Sequence, residues 1–247
     1  MKGKKLLKNG RERTTTNQKV LGKLQPRLIA ISTFIYYDRS HLKGYFITFE
    51  GGEGSGKTTQ LAHLARHLQK KGYPVLQTRE PGGTLIGEAI RSLLLYPKEV
   101  HCNPEAELFL YLADRAQHVK EVILPALSEG QIVLCDRFSD STLVYQGIAR
   151  GIPLHKVLAM TRLAADGLKP NLTFLLDIDL EKGLSRLKTR KEANRLDLET
   201  DLFHYKVREG YLALAKDEPK RIHVVNAAIS ERRVFVEIRK VVDGILS

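Results

Sequence analysis

The 247-residue chain is 43% apolar and 28% charged, close to the globular average, which excludes a disordered, collagenous or coiled-coil polypeptide. Its net charge of +12 points to nucleic acid or anionic membrane until it is located: residues 1–43 hold eleven lysines and arginines against Glu12 and Asp38, so the remaining 204 residues carry only +3. Cys102 and Cys135 form no metal-ligand or disulfide spacing, and the longest apolar run, Leu28 to Tyr37, is about half of the roughly 18 residues that a membrane-spanning helix needs.

In chain order, residues 1–27 lack an apolar period and include the polar run Thr14 to Gln18. They predict a basic N-terminal extension over 1–43 without regular structure, followed by a domain over 44–247. The basic part is too long for a secretion signal and no A-x-A-like site follows it, while an organellar transit peptide, poor in acid and containing Ser and Thr, stays open as a reading. From Tyr45 the pattern becomes regular: the β-rich run Tyr45 to Phe49, a glycine cluster, then Leu61, Leu64, Ala65 and Leu68 at helical spacing. Val75 to Thr78, Ile132 to Cys135, Leu172 to Leu176 and Ile222 to Val225 are further short apolar runs, separated by segments long enough for crossover helices. This alternation predicts an α/β domain with a parallel sheet covered by helices on both faces.

The segment Gly51-Gly52-Glu53-Gly54-Ser55-Gly56-Lys57-Thr58 fits G-x-x-x-x-G-K-[ST] between a strand and an amphipathic helix. Glycines permit the positive φ angles that turn successive N–H groups toward phosphate, and the following helix N-terminus adds to the attraction. Gly51, Gly52, Glu53, Gly54, Ser55, Gly56, Lys57, Thr58 and Thr59 are therefore the expected nucleotide-binding set. Within it, Lys57 is expected to reach the β- and γ-phosphates and the Thr58 hydroxyl to ligate Mg²⁺. Asp136 ends a strongly apolar strand and so falls at the carboxyl edge of the sheet, where it can join the Mg²⁺ shell; Arg137, next to it, can fork onto a phosphate.

Together with Thr78-Arg79-Glu80-Pro81-Gly82-Gly83-Thr84 and Asp136-Arg137-Phe138, the string Glu50 to Thr59 resembles the bacterial thymidylate kinases in order and spacing. The resemblance spans about residues 44–247 and extends to Ala113 to Gln117, Tyr145-Gln146-Gly147, and the arginine-rich stretch Arg186 to Asp197. It implies a P-loop nucleoside monophosphate kinase fold with a five-stranded parallel sheet of order 2-3-1-4-5 and a lid at about 183–197. The implied reaction is ATP-dependent phosphorylation of dTMP to dTDP in dTTP synthesis, with Mg²⁺ as cofactor, in a cytoplasmic homodimer that needs neither membrane nor nucleic acid.

For the acceptor, the resemblance implies Glu53 at the sugar 3′-hydroxyl, Tyr111 stacked on thymine, and Arg115 hydrogen-bonded to the base. Arg79 and Arg137 would clamp the 5′-phosphate, Thr142 would read the base edge, and Tyr145 would crowd the 2′ position. Because this P-loop holds Glu53 and no arginine, transition-state charge is expected from lid arginines, Arg190 and Arg195 foremost, with Arg186 and Lys188 beside them. Two other readings stay open: a P-loop kinase for another nucleoside monophosphate, or a nucleotide-dependent regulator that binds nucleic acid through the basic extension. His63 and His67 share a polar helix face with Arg66 and Lys70 and are read as solvated. Cys102, Cys135 and Asn226 are assigned no chemistry.

Overall fold

The computed structural model describes residues 42–96, 102–187 and 194–246. The predicted basic extension lies outside them but for Leu42 and Lys43, and so do Lys188 and Arg190 of the expected lid. In chain order the elements are β1 (Tyr45–Glu50), α1 (Lys57–Lys70), β2 (Val75–Arg79), α2 (Leu85–Leu95) and α3 (Pro104–His118). The last runs through a π-helical turn (Val119–Ile123) into α4 (Leu124–Ser128). Then come β3 (Ile132–Asp136), α5 (Ser139–Thr142) with a π-helical continuation (Leu143–Ala149), α6 (Leu154–Ala164), β4 (Leu172–Asp177) and α7 (Leu180–Leu187). A 3-10 turn (Arg195–Leu198), α8 (Asp201–Asp217), β5 (Ile222–Asn226) and α9 (Glu231–Leu246) complete the described chain.

The strands form one parallel sheet in the order β2-β3-β1-β4-β5, the arrangement that the resemblance implies. Central β1 is buried between β3 and β4, with Ile47 opposite both Leu134 and Leu172. Its side chains alternate between the faces of the sheet. Ile47 and Phe49 pack with Leu61, Leu64 and Leu68 of α1 and with Val234, Ile238 and Val242 of α9. Phe46 points the other way, into Val119, Ile123, Leu127 and Phe138. Helix starts follow from local chemistry: Asn103 caps the N–H groups of Glu105 and Ala106 ahead of α3 with Pro104 in its first turn, and Thr84 and Thr200 cap α2 and α8.

All five strands run one residue beyond the apolar runs that predicted them, ending at Glu50, Arg79, Asp136, Asp177 and Asn226. The parallel ladder continues there, pairing Arg79 with Asp136, Asp136 with Phe49, and Asp177 with Asn226. Polar and charged side chains thereby line up along the carboxyl edge of the sheet, where open α/β folds bind ligands. Above that edge the P-loop packs against α7 through two glycines. A Cβ on Gly54 (φ 71°) would lie 2.3 Å from the Gly183 carbonyl oxygen, and one on Gly183 would lie 2.9 Å from that of Glu53.

Candidate active site

A cleft of about 610 Å³ opens over the carboxyl edge of β1, β2 and β3, a size suited to small-molecule ligands. One wall is the loop between β1 and α1, where Gly51, Gly54 and Gly56 adopt φ of 139°, 71° and 90°. A side chain at Gly51 would strike the Leu176 carbonyl oxygen at 2.5 Å, so the loop closes tightly on β4. Lys57 is buried at the first turn of α1, with its ammonium donating to the carbonyl oxygens of Gly52 (2.9 Å) and Gly51 (3.1 Å). Burial and the nearby Arg137 lower its pKa to about 8, against the opposing pull of Glu53, Asp136 and Glu50. Thr58 and Thr59 are exposed and line the cleft. The Thr58 hydroxyl donates to Asp136 Oδ2 at 2.5 Å, so a helix start and a strand end converge on one point. Hydroxyl and carboxylate form an oxygen-only donor pair of the kind Mg²⁺ takes, with its remaining positions left to water and phosphate. Among the described residues no cluster of three His, Cys, Asp or Glu side chains offers a self-sufficient metal cage.

Arg137 stands at the centre of the cleft in a left-handed backbone conformation, φ 69°, which a side chain other than glycine adopts at a cost of order 1 kcal/mol. Its N–H donates to the Phe49 carbonyl at 3.0 Å. The guanidinium donates to Glu53 Oε1 (2.5 Å), the Gly51 carbonyl (3.1 Å), Tyr211 Oη (3.2 Å) and Ser141 Oγ (3.3 Å), and lies 5.0 Å above the Tyr145 ring. Tyr145 Oη donates to the same Glu53 oxygen at 3.1 Å. Glu53, Arg137 and Tyr145, drawn from three separate sequence motifs, thus meet in one knot.

At the far end, Tyr111 and Arg115 project from α3 into the cleft, with Thr142 beside them. Arg115 is 1% exposed and belongs to the core, whereas its helical spacing alone also fits a surface residue. Its Nε and Nη2 donate to Glu80 Oε2 (2.9 and 2.7 Å), its Nη1 donates to Thr142 Oγ1 (2.8 Å), and its plane lies 5.1 Å from the Phe138 ring. Two guanidinium N–H groups are left over from these bonds. Buried His118 supports Glu80 from behind, with Nδ1 3.0 Å from Glu80 Oε1 and Nε2 2.6 Å from Thr78 Oγ1. Burial would raise the Glu80 carboxyl, but Arg115 and His118 hold it below the usual carboxylate range. Burial pushes the Tyr111 phenol upward, with Glu107 adding to the effect. Arg79 sits at the rim, where its Nη2 reaches both carboxylate oxygens of Glu88 at 3.0 Å, a partner that the sequence did not suggest.

The expected lid arginines separate. Arg186 meets the P-loop, donating to the carbonyls of Gly54 (3.3 Å) and Ala227 (3.2 Å). Arg195, expected to face the donor phosphates, turns instead to the buried carboxylate of Glu107 and the Leu94 carbonyl. The reason is local: Asn194 caps the 3-10 turn and Leu196 buries against the core, so the turn presents Arg195 to α3. Gln146 and Arg150 bind the same Glu107, and Arg150 reaches on to Glu199. Sequence reasoning missed Glu50, Glu80, Glu107, Ser141 and Tyr211. The first two lay inside quoted motifs and were the findable ones.

A family model described as thymidylate kinase matches residues 49–238. The chain is 53% identical over 189 residues to the thymidylate kinase of Syntrophotalea carbinolica, covering 74% of this chain and 88% of that one. To the thymidylate kinase of a Geobacillus species it is 48% identical over 207 residues, covering 83% and 99%. Among solved structures, thymidylate kinase from Ehrlichia chaffeensis superposes with a TM-score of 0.66 at 37% identity, covering 81% of this chain and 98% of that one.

Proposed function

We propose, for a chain that belongs to the thymidylate kinase family and phosphorylates dTMP to dTDP at the expense of ATP, a division of labour along the one cleft. The loop Gly51 to Gly56 receives the donor phosphates on its N–H groups, and Lys57 exchanges its carbonyl partners for β- and γ-phosphate oxygens. Thr58 and Asp136 would hold Mg²⁺, which when bound would neutralise charge on the phosphates. Arg137 and Arg79 grip the acceptor 5′-phosphate, a task that suits a planar fork of donors. Glu53 takes the 3′-hydroxyl and Tyr145 crowds the 2′ position. Tyr111 stacks on the base, while Arg115 and Thr142 read its edge. Of the lid residues, Arg186 is the described arginine best placed to answer charge developing on the transferred group, with Arg190 beside it in sequence.

The observation that carries this reading is the knot of Glu53, Arg137 and Tyr145. It ties the donor loop to the acceptor pocket, so one guanidinium lies between the two phosphates that must meet in line. A coupled ADP-release assay with dTMP, dUMP, UMP and CMP tests it: the highest kcat/KM should be for dTMP, and a preference for a ribonucleotide would overturn the role of Tyr145. We also read the enzyme as a cytoplasmic homodimer. Exposed Leu93, Phe109, Leu158 and Leu163, on α3 and on the helices α2 and α6 that each pack against it, supply apolar surface for a second copy. Light scattering that returned the monomer mass would refute the dimer. No helix among the described residues is long and apolar enough to cross a membrane.

A further inference from the structure

Glu50, the last residue of β1, is fully buried directly beneath the Arg137 loop, yet it lines no part of the cleft. Both of its carboxylate oxygens are engaged. Oε1 accepts the Phe138 N–H at 2.8 Å, and Oε2 accepts the hydroxyls of Ser141 (2.6 Å) and Tyr211 (2.8 Å). Those same two hydroxyls stand 3.3 and 3.2 Å from Arg137 Nη1. The two hydroxyls also lie 2.8 Å from each other, so two cross-linked chains run from Arg137 through a hydroxyl to the carboxylate, each bond polarising the next. The third bond fixes the N–H of the residue that follows Arg137, whose left-handed φ would otherwise relax.

We propose that Glu50 is a positioning residue for the reaction: it holds the Arg137 backbone in its left-handed turn and, through Ser141 and Tyr211, aims the guanidinium at the acceptor phosphate. The inference deepens the assignment of Arg137 made above and rests on it. Its chemical logic is specific to a carboxylate. A glutamine of the same size either turns its N–H₂ on the Phe138 N–H, donor to donor, or turns it on the two hydroxyls, which must then rotate to accept from it and lose their carboxylate acceptor.

The test is a kinetic cycle of Glu50→Gln, Arg137→Ala and the double variant, with dTMP and ATP titrated separately and thermal midpoints recorded. Glu50→Gln should raise KM for dTMP about tenfold and lower kcat, with KM for ATP within about twofold of wild type. Arg137→Ala should lose more, and adding Glu50→Gln to it should change kcat/KM by less than about twofold, because the aim of a missing guanidinium no longer matters. A full multiplicative loss in the double variant, or equal weakening of both substrates, overturns the proposal. If Arg137→Ala leaves the dTMP kinetics intact, the acceptor-clamp reading fails instead. Should Glu50→Gln not fold, Tyr211→Phe and Ser141→Ala remove the two chains one at a time: each should raise KM for dTMP severalfold, and no change in either would equally refute the role of Glu50.

Discussion

Arg115→Ala offers the sharpest test of the acceptor end, because it separates stability from recognition. The side chains of Arg115 and Glu80 are each 2% exposed, and three of the arginine's nitrogens are hydrogen-bonded. Deleting one partner of such a pair strands a buried charge and destabilises by about 3–5 kcal/mol. For a body of this size each kcal/mol lowers Tm by about 2–4 °C, so the midpoint should drop by about 6–20 °C. The loss should depend on pH with a definite sign. In the wild type the Glu80 carboxyl lies below its usual range, so its stabilisation is present above the unfolded pKa and lost only as pH falls through the lower folded value. Without Arg115, burial dominates and lifts the folded value above the unfolded one of about 4.3, so the carboxylate opposes folding increasingly as pH rises above that. Scanning fluorimetry at pH 5 and pH 8 should therefore find the larger deficit at pH 8, and kinetics should find a raised KM for dTMP with KM for ATP unchanged. A Tm loss below about 3 °C at pH 8, or a larger loss at pH 5, would refute this account of the pair.

Asp114 lies in the same cluster, with Oδ1 accepting the Gly82 N–H and Oδ2 without a hydrogen-bond partner, and burial and then Glu80 raise its pKa to about 7. A raised carboxyl stabilises most below its unfolded pKa and loses that contribution as pH climbs to the folded one, so Asp114→Asn should gain on wild type between pH 4 and pH 7 by up to about 4 kcal/mol; a pH-independent difference in chemical denaturation would contradict this. Tyr111→Ala should raise KM for dTMP by the roughly 1–3 kcal/mol that a base gains from an aromatic face, while KM for ATP stays put; equal weakening of both substrates would make Tyr111 structural. Arg186→Ala should depress kcat by orders of magnitude, as loss of a transition-state arginine does, whereas Arg195→Ala should chiefly lower Tm by leaving Glu107 short of a partner; the reverse ranking would return the charge role to Arg195.

Much of this architecture is readable in the chain because its signals are local. The strand, glycine loop and helix from Tyr45 to Lys70 need only a window of some twenty-five residues, and the strand end at Asp136 places a carboxylate on the carboxyl edge without knowledge of its partner. Period misleads at His63 and His67, expected on a solvated face: both are half-buried against α9, paired with Glu231 and Asp243, 168 and 176 positions away, and set beside Phe235, neighbours that local spacing does not reveal. What escapes is long-range pairing. Nothing near Glu50 announces Tyr211, 161 positions away, and nothing near Glu107 announces Arg195, 88 positions away. Arg115 has the spacing of a surface residue and becomes a core residue only because Glu80 closes over it from another loop. The π-helical segment Leu143–Ala149 is likewise silent in composition, yet it sets both Tyr145 on Glu53 and Gln146 on Glu107. Such one-residue insertions into a helix concentrate at functional sites.

The contact of Gly54 with Gly183 makes two distant codons one locus. Any side chain at position 54 meets a backbone carbonyl, which has no rotamer to yield, and the reverse holds at position 183. A library that diversifies the donor loop while holding α7 fixed will therefore return glycine at 54 whatever is selected for, and compensation at 183 offers no escape, since that residue is already the smallest there is. Mechanically the same contact sets a limit on approach: backbone meets backbone there, so the start of α7 cannot move closer to the donor loop without displacing it.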